Sequence, residues 1–175
     1  MEIRTETAAD HEGVRAVLID AFGEEDEALL VDLIRRSDRF VPDLSIVAED
    51  SDGGIVGHIM FSYVDLVGAE TRQVLSLAPL AVATKAQLTG VGRALTEEGL
   101  ARCDRRGEPL VVLEGIPAYY PRLGFEPAAG YGIDKPAHQV PDEAFMVYRL
   151  CNYDPSCRGR LVYPPAFHEA NAIGP

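Results

Sequence analysis

The residues of this chain best arranged for chemistry are Gln87-Leu88-Thr89-Gly90-Val91-Gly92-Arg93. Gly90 and Gly92 stand one residue apart, directly before a stretch with helical periodicity. Glycines at that spacing let the backbone turn so that successive N–H groups aim at one point. The first turn of the helix adds unpaired donors and the positive end of its dipole. The natural occupant of such a point is a phosphate-bearing cofactor. A glycine-rich loop with nothing bound fits the same residues. A nucleoside-triphosphate loop does not, because it needs Gly-Lys-Ser/Thr where this chain has Gly92-Arg93-Ala94.

The elements around the turn must position it. Val74, Leu75, Leu77, Leu80 and Val82 make a near-continuous apolar run before it, as in a strand covered on both faces. Pro79 sits inside that run and has no N–H for a ladder, so the strand is expected to bulge or part from a neighbour there. A parted strand leaves backbone groups free for an extended ligand. The helix after the turn spans 91–106, with Gly92, Leu95, Thr96, Gly99, Leu100 and Cys103 on one face. Gly99 costs a helix interior about 1 kcal/mol against alanine. Close approach of helix and sheet would compensate.

The rest of the chain supplies the frame. Residues 2–5 read as a first strand, and Thr7 as a helix cap with Asp10 three residues on. Val14, Val17, Leu18, Ala21 and Phe22 then recur at helical spacing, and Gly23 ends the helix. A second helix spans 24–36, with Leu29, Leu30, Leu33 and Ile34 as its apolar face and acids at its N-terminal end. Strands at 44–49 and 55–64 flank Asp52-Gly53-Gly54, a hairpin signal. Gly68-Ala69-Glu70-Thr71 turns into the central strand, and further strands fall at 110–113 and 145–150. Pro117 opens a short helix that Gly124 closes. Residues 1–150 are expected to form one domain. The stretch 151–175 is expected to be an extension packed on it, anchored by Val162, Tyr163 and Phe167.

At 175 residues, with 47% hydrophobic and 25% charged residues, the chain is long enough for one core of its own. A net charge of −12 argues against general nucleic-acid binding. No apolar run reaches the roughly 18 residues of a membrane span, and the acidic start lacks a signal peptide's apolar core. A cytoplasmic protein without membrane attachment is expected. Cys103, Cys151 and Cys157 read as reduced thiols, and no metal site is expected.

Two motifs together resemble a known family. The segment 77–95, with Gln87-x-x-Gly90-x-Gly92, resembles the acyl-CoA-binding motif of the GCN5-related N-acetyltransferases. Ala118-Tyr119-Tyr120-Pro121-Arg122-Leu123-Gly124-Phe125, about thirty residues on, resembles that superfamily's tyrosine helix. Leu80-Ala81-Val82 with Pro117-Ala118-Tyr119-Tyr120, and the later stretches 141–146 and 163–167, resemble its YhbS-type branch.

The resemblance implies an α/β (α+β) fold: a mixed, mainly antiparallel sheet with a splayed strand pair and helices on both faces. It implies acetyl-CoA as cosubstrate, with the pyrophosphate on the N–H groups of Leu88, Thr89, Gly90, Val91, Gly92 and Arg93. The pantetheine arm would pair with Leu80, Ala81 and Val82 like an added strand. A backbone N–H near Leu80 would stabilise the oxyanion, and Lys85 or Arg93 would meet the adenine 3′-phosphate.

The resemblance further implies that a small-molecule or protein amine attacks the thioester directly. Tyr120 stands four residues before Gly124, the family's place for the general acid on a thiolate of solution pKa about 8.5. An amine of pKa about 10 also needs a base. Glu114 is the first candidate, ahead of His58, Asp65, Glu70 and Ser76. Thr89 departs from the family's usual arginine, and Thr84 from its frequent proline. The chain is expected to be a monomer or a homodimer. A catalytically silent acyl-CoA-binding sensor is the alternative reading.

Overall fold

A long hairpin runs through the middle of the fold. The computed structural model describes residues 1–136 and 140–172. Strand β1 (Glu2–Thr5) pairs antiparallel with β2 (Ser45–Glu49), and β2 with β3 (Ile55–Val67). β3 then pairs along most of its length with β4 (Thr71–Val82). Asp50 closes the β2–β3 turn by accepting from the N–H groups of Asp52 and Gly54. β3 outruns its predicted end by three residues, because the ladder continues to Val67 opposite Thr71.

β4 is buried on both sides from Val74 to Leu77, as its apolar run requires. Its other neighbour, β5 (Leu110–Glu114), is parallel to it and meets it only at Leu75–Val111 and Ser76–Val112. Past that point the two strands part, just before Pro79. On the β3 side the register slips between Ile59 and Phe61, opposite the cis Ala78–Pro79 bond. β5 goes on to pair with β8 (Phe145–Arg149), which pairs with the short β6 (Glu126–Pro127). β7 (Ile133–Asp134) joins β9 (Gly159–Val162), and β9 returns to pair antiparallel with β3. The sheet is therefore mixed and mainly antiparallel.

Helix α1 (His11–Phe22) packs on β3 and β4. A 3₁₀ turn at Ala8–Asp10 precedes it, with the Asp10 carboxylate accepting from the Thr7 N–H at 2.7 Å. Gly23 closes it at φ 79°. Helix α3 (Val91–Arg105) lies against β2, β3 and β4. A Cβ on Gly99 would stand 2.2 Å from Cε2 of the buried Phe61, so the predicted close approach is present.

Three sequence expectations are corrected. In α2 (Asp26–Arg35) the buried stripe is Ala28, Leu30, Val31 and Ile34, while Leu29 is 40% exposed. In the tail Tyr163 and Phe167 are buried as expected, but Val162 is exposed. β9 alternates, and Leu161 takes the inward place. The helix expected from Pro117 is a turn followed by a 3₁₀ segment, Tyr120–Leu123, closed by Gly124 at φ 96°. Pro121 removes an N–H that an α-helix there would need, so the chain makes shorter-range bonds such as Arg122 N–H to Tyr119 C=O. The tail also holds a short helix, α4 (Pro165–Glu169), packed against α2.

Candidate acyl-transfer cleft

Where β4 and β5 part, a cleft of about 690 Å³ opens. Leu80 and Val82 form part of its β4 wall, and Glu114 and Gly115 part of the facing wall. Gln87, Leu88, Gly90, Gly92 and Arg93 bring the glycine turn to it, and Tyr119 and Tyr120 stand in it as well. Residues far apart in the chain, singled out for the turn, the strand and the proton transfers, thus share one cavity. A larger cavity, about 890 Å³, lies elsewhere, around Ile133, Lys135 and Arg160, and carries none of them.

The β4 wall offers backbone. The Ala83 N–H bonds to the Val56 C=O, on the β3 side. Backbone groups alternate along a strand, so those of Leu80 and Val82 point the other way, into the opening. The Val82 C=O accepts from the Gln87 side chain at 3.2 Å, consistent with that direction. Ala81 alternates inward, opposite His58, and its side chain is buried.

The turn has the shape the two glycines require. Gly90 caps α3 at φ 96°, a left-handed conformation, and Leu88 also has positive φ, 63°. Val91 turns its side chain into the core beneath the turn. A Cβ on Gly92 would stand 3.1 Å from the Tyr119 hydroxyl and 3.4 Å from Val82 Cγ2, so a larger residue there would crowd the cleft wall. The N–H groups of Val91, Gly92 and Arg93 belong to the first turn of α3, where no intrahelical acceptor exists. The exposed Thr89 donates its hydroxyl to the Ala86 C=O at 2.6 Å, which steadies the turn from below. Lys85 reaches Asp50 at 3.5 Å and Arg93 reaches Glu97 at 2.7 Å, both in exposed pairs.

Tyr120 is buried, with its ring edge-on to Tyr119 at 5.0 Å and to Phe125 at 5.5 Å. Burial, with a smaller contribution from Tyr119, pushes its phenol well above the usual value. The hydroxyl therefore keeps its proton at neutral pH. Tyr119 also faces the cleft, and burial raises its phenol too. Glu114 accepts from the Tyr163 hydroxyl at 2.9 Å. The other candidate bases lie outside the cleft lining. His58 is fully buried against Ser45, Asp65 pairs with Arg39 at 2.7 Å, Glu70 is exposed, and Ser76 is buried in β4.

The sequence reading named none of the residues of the remaining wall as site residues. Phe22 from α1, Glu27 and Leu30 from α2, and Ala172 from the tail complete the cleft. Glu27 stands three residues before Leu30, four before Val31 and seven before Ile34, so it occupies a place in the buried stripe of α2. That spacing was available in the sequence. The run Glu24-Glu25-Asp26-Glu27 reads as acids complementing a helix dipole, which hides it.

Residues 2–128 match the sequence family described as acetyltransferase (GNAT) domain. The chain is 39% identical over 152 residues to an uncharacterized N-acetyltransferase, YhbS, of Escherichia coli strain K12, covering 87% of this chain and 89% of that one. It is 35% identical over 136 residues to another from the same strain, YjhQ, covering 77% and 75%. Among solved structures, E. coli YhbS in complex with CoA superposes with a TM-score of 0.85 at 35% identity, over 95% of this chain and 91% of that one. A GNAT acetyltransferase from Brucella melitensis in complex with acetyl-CoA gives 0.76 at 31% identity, over 95% and 97%.

Proposed function

This chain belongs to the acetyltransferase (GNAT) family, and on that footing we propose that it moves the acetyl group of acetyl-CoA to a primary amine by direct attack. The observation that carries the reading is the opening between β4 and β5, with the glycine turn, Tyr120 and Glu114 all facing it. Relatives with the same fold are described in complex with CoA and with acetyl-CoA. The residues present fit that cosubstrate. The first-turn N–H groups of α3, with Leu88 and Thr89 leading in, receive the pyrophosphate, and Gly92 keeps a side chain out of its way. The outward backbone of Leu80 and Val82, on either side of Ala81, pairs with the amide groups of the pantetheine arm.

Acetyl-CoA supplies an activated carbonyl, and the chain supplies position and proton transfer. The acceptor nitrogen forms its bond to the carbonyl carbon as the carbon–sulfur bond breaks. A backbone N–H of the parted β4 stabilises the oxyanion. Tyr120, held protonated by burial, gives its proton to the departing thiolate. Two carboxylates, Glu27 and Glu114, face the cleft, and the proton that the ammonium must lose goes to one of them.

The experiment is thermal unfolding with and without acetyl-CoA, followed by turnover with a panel of primary amines. At 100 times the dissociation constant a ligand adds about 2.7 kcal/mol, or several degrees at roughly 2–4 °C per kcal/mol. The expected result is a shift with acetyl-CoA, none with ATP, a smaller one in Gly90→Val, and turnover that falls about 10²-fold or more in Tyr120→Phe. A shift without turnover on any amine would favour a silent acyl-CoA sensor. No shift at millimolar acetyl-CoA would overturn the reading.

A further inference from the structure

We propose that Glu27 is the residue that receives the acceptor's ammonium group and takes its proton, so that the acceptor class is a primary alkylammonium. The inference rests on the acetyl-transfer reading and assigns a step that reading leaves between two carboxylates. Its first support is placement. Glu27 lies on the buried stripe of α2 and lines the cleft together with Phe22 and Leu30, on the wall that the turn and the β4 backbone do not occupy. That wall offers apolar contact for the body of a small acceptor and a carboxylate for its head.

The second support is an unmet need. The Glu27 Oε2 atom is buried and has no hydrogen-bond partner among the described residues. A buried carboxylate oxygen without a donor is costly, and structures rarely keep one without a use for it. An ammonium in the cleft would supply the missing donor. The other carboxylate already accepts a hydrogen bond, from Tyr163 to Glu114.

The surroundings favour proton uptake. Burial is the main cause raising the Glu27 carboxyl, and Glu24 and Asp26 on the same segment add to it. On the α1 side, Arg15 is drawn to Glu25 at 3.0 Å and Asp32 at 3.6 Å. On the tail side, Asn171 donates to Asp26 at 3.4 Å, and His168 is exposed. Across the cleft stand Glu114, Arg93, Tyr119 and Tyr120, and Arg93 is paired with Glu97. No ion-pair cation lies within 4 Å of Glu27 among the described residues; its own backbone N–H holds the proton affinity down somewhat, and burial outweighs that contact.

The step balances. An alkylammonium enters with three N–H bonds. Glu27 takes one proton, which frees the lone pair to form the carbon–nitrogen bond. The carbon–sulfur bond breaks with its electron pair on sulfur. A second proton passes from nitrogen to the thiolate by way of the Tyr120 hydroxyl, and the amide keeps the third hydrogen. Glu27 later releases its proton to solvent.

The test compares Glu27→Gln, Glu27→Asp and Glu114→Gln with the unmodified protein. The readouts are kcat/KM for alkylamines across pH and the acetyl-CoA thermal shift. Glu27→Gln is expected to keep the thermal shift, to lose about 10²- to 10⁴-fold in kcat/KM, and to lose the acid limb of the pH profile. That limb, in the unmodified protein, is expected above the ordinary carboxylate range. Glu27→Asp keeps the limb with slower turnover and serves if the glutamine variant does not fold. Turnover of Glu27→Gln within threefold of the unmodified protein, or an acid limb that vanishes in Glu114→Gln and stays in Glu27→Gln, overturns the inference alone. No turnover by the unmodified protein, with acetyl-CoA bound, overturns the acetyl-transfer reading and this inference together.

Discussion

A fully buried histidine fixes how this fold responds to acid. His58, on β3, places Nε2 3.0 Å from Ser45 Oγ and 3.6 Å from Glu6 Oε2. Burial pushes its pKa down to about 4, although Glu6 pulls the other way, because a charged imidazole there would lose its water. The unfolded chain titrates near the ordinary 6.5. Between those values the unfolded state binds the proton and the folded state does not. The stability contributed by neutral His58 is therefore complete above about pH 6.5 and is lost as pH falls towards 4. At about 1.4 kcal/mol per pH unit this amounts to about 3 kcal/mol. Asp10, held well below the usual carboxylate range chiefly by its bonds to Arg4, acts only at lower pH, while the raised Glu27 carboxyl takes up its proton in the folded state first and so offsets part of the His58 loss within the window. Melting temperature should fall by roughly 6–12 °C from pH 6.5 to 4, and His58→Gln should flatten that slope. An equal slope in the variant would assign the acid sensitivity elsewhere.

At the scale of elements, the strand–turn–helix unit was the most legible part, because each cue had one local cause. Pro79 marked the parting of β4 from β5, paired glycines marked the turn, and period 3.6 marked α3. The tyrosine segment was less legible, since Pro121 converts an apparent helix into 3₁₀ turns. The Glu27 wall was hidden for another reason. A glutamate near a helix start satisfies the dipole rule whether it faces water or a cleft, and only the packing of α2 against α1 and α4 decides. Gly99 was legible as a cost offset by close approach of helix and sheet, and Phe61 is the residue approached. Its ring fills the place a Cβ would take, at 2.2 Å. Phe61 is fully buried and cannot swing aside. Gly99→Ala should therefore lose about 1–3 kcal/mol to overpacking, despite the better helix propensity of alanine. Melting should drop by roughly 2–12 °C, and Phe61→Leu in the same chain should restore part of it. A gain in stability for Gly99→Ala would mean that helix and sheet separate more easily than their packing suggests.

For the whole molecule, the question is whether the last 25 residues, written as an extension when the sequence is read alone, can be removed. β9 adds to β3 at Asp65–Val162, Leu66–Leu161 and Val67–Arg160, and so covers the edge that β2 leaves open once its pairing ends at Ser45–Met60. Tyr163 stacks on Phe167 at 4.6 Å, and Leu161, Phe167 and Ala170 are buried to 2% exposure or less. Tyr163 also bonds Glu114 at the mouth of the cleft, and Ala172 lines it. Tyr163 and Phe167 were legible as anchors, but β9 was not, because its ladder lies with residues about a hundred positions earlier. Burying side chains the size of Leu161, Tyr163 and Phe167 contributes about 1.5–3 kcal/mol each, together comparable with a domain's net stability of about 5–15 kcal/mol. A chain ended at residue 150 should therefore show no cooperative melting, or melt more than 10 °C lower, with no acetyl-CoA shift. Tyr163→Phe, which removes one hydroxyl, should keep the fold and lose about 1–2 kcal/mol. If the shortened chain melts cooperatively within about 5 °C of the full one, the tail is an accessory to a domain that stands without it, and Glu114 holds its place by other contacts.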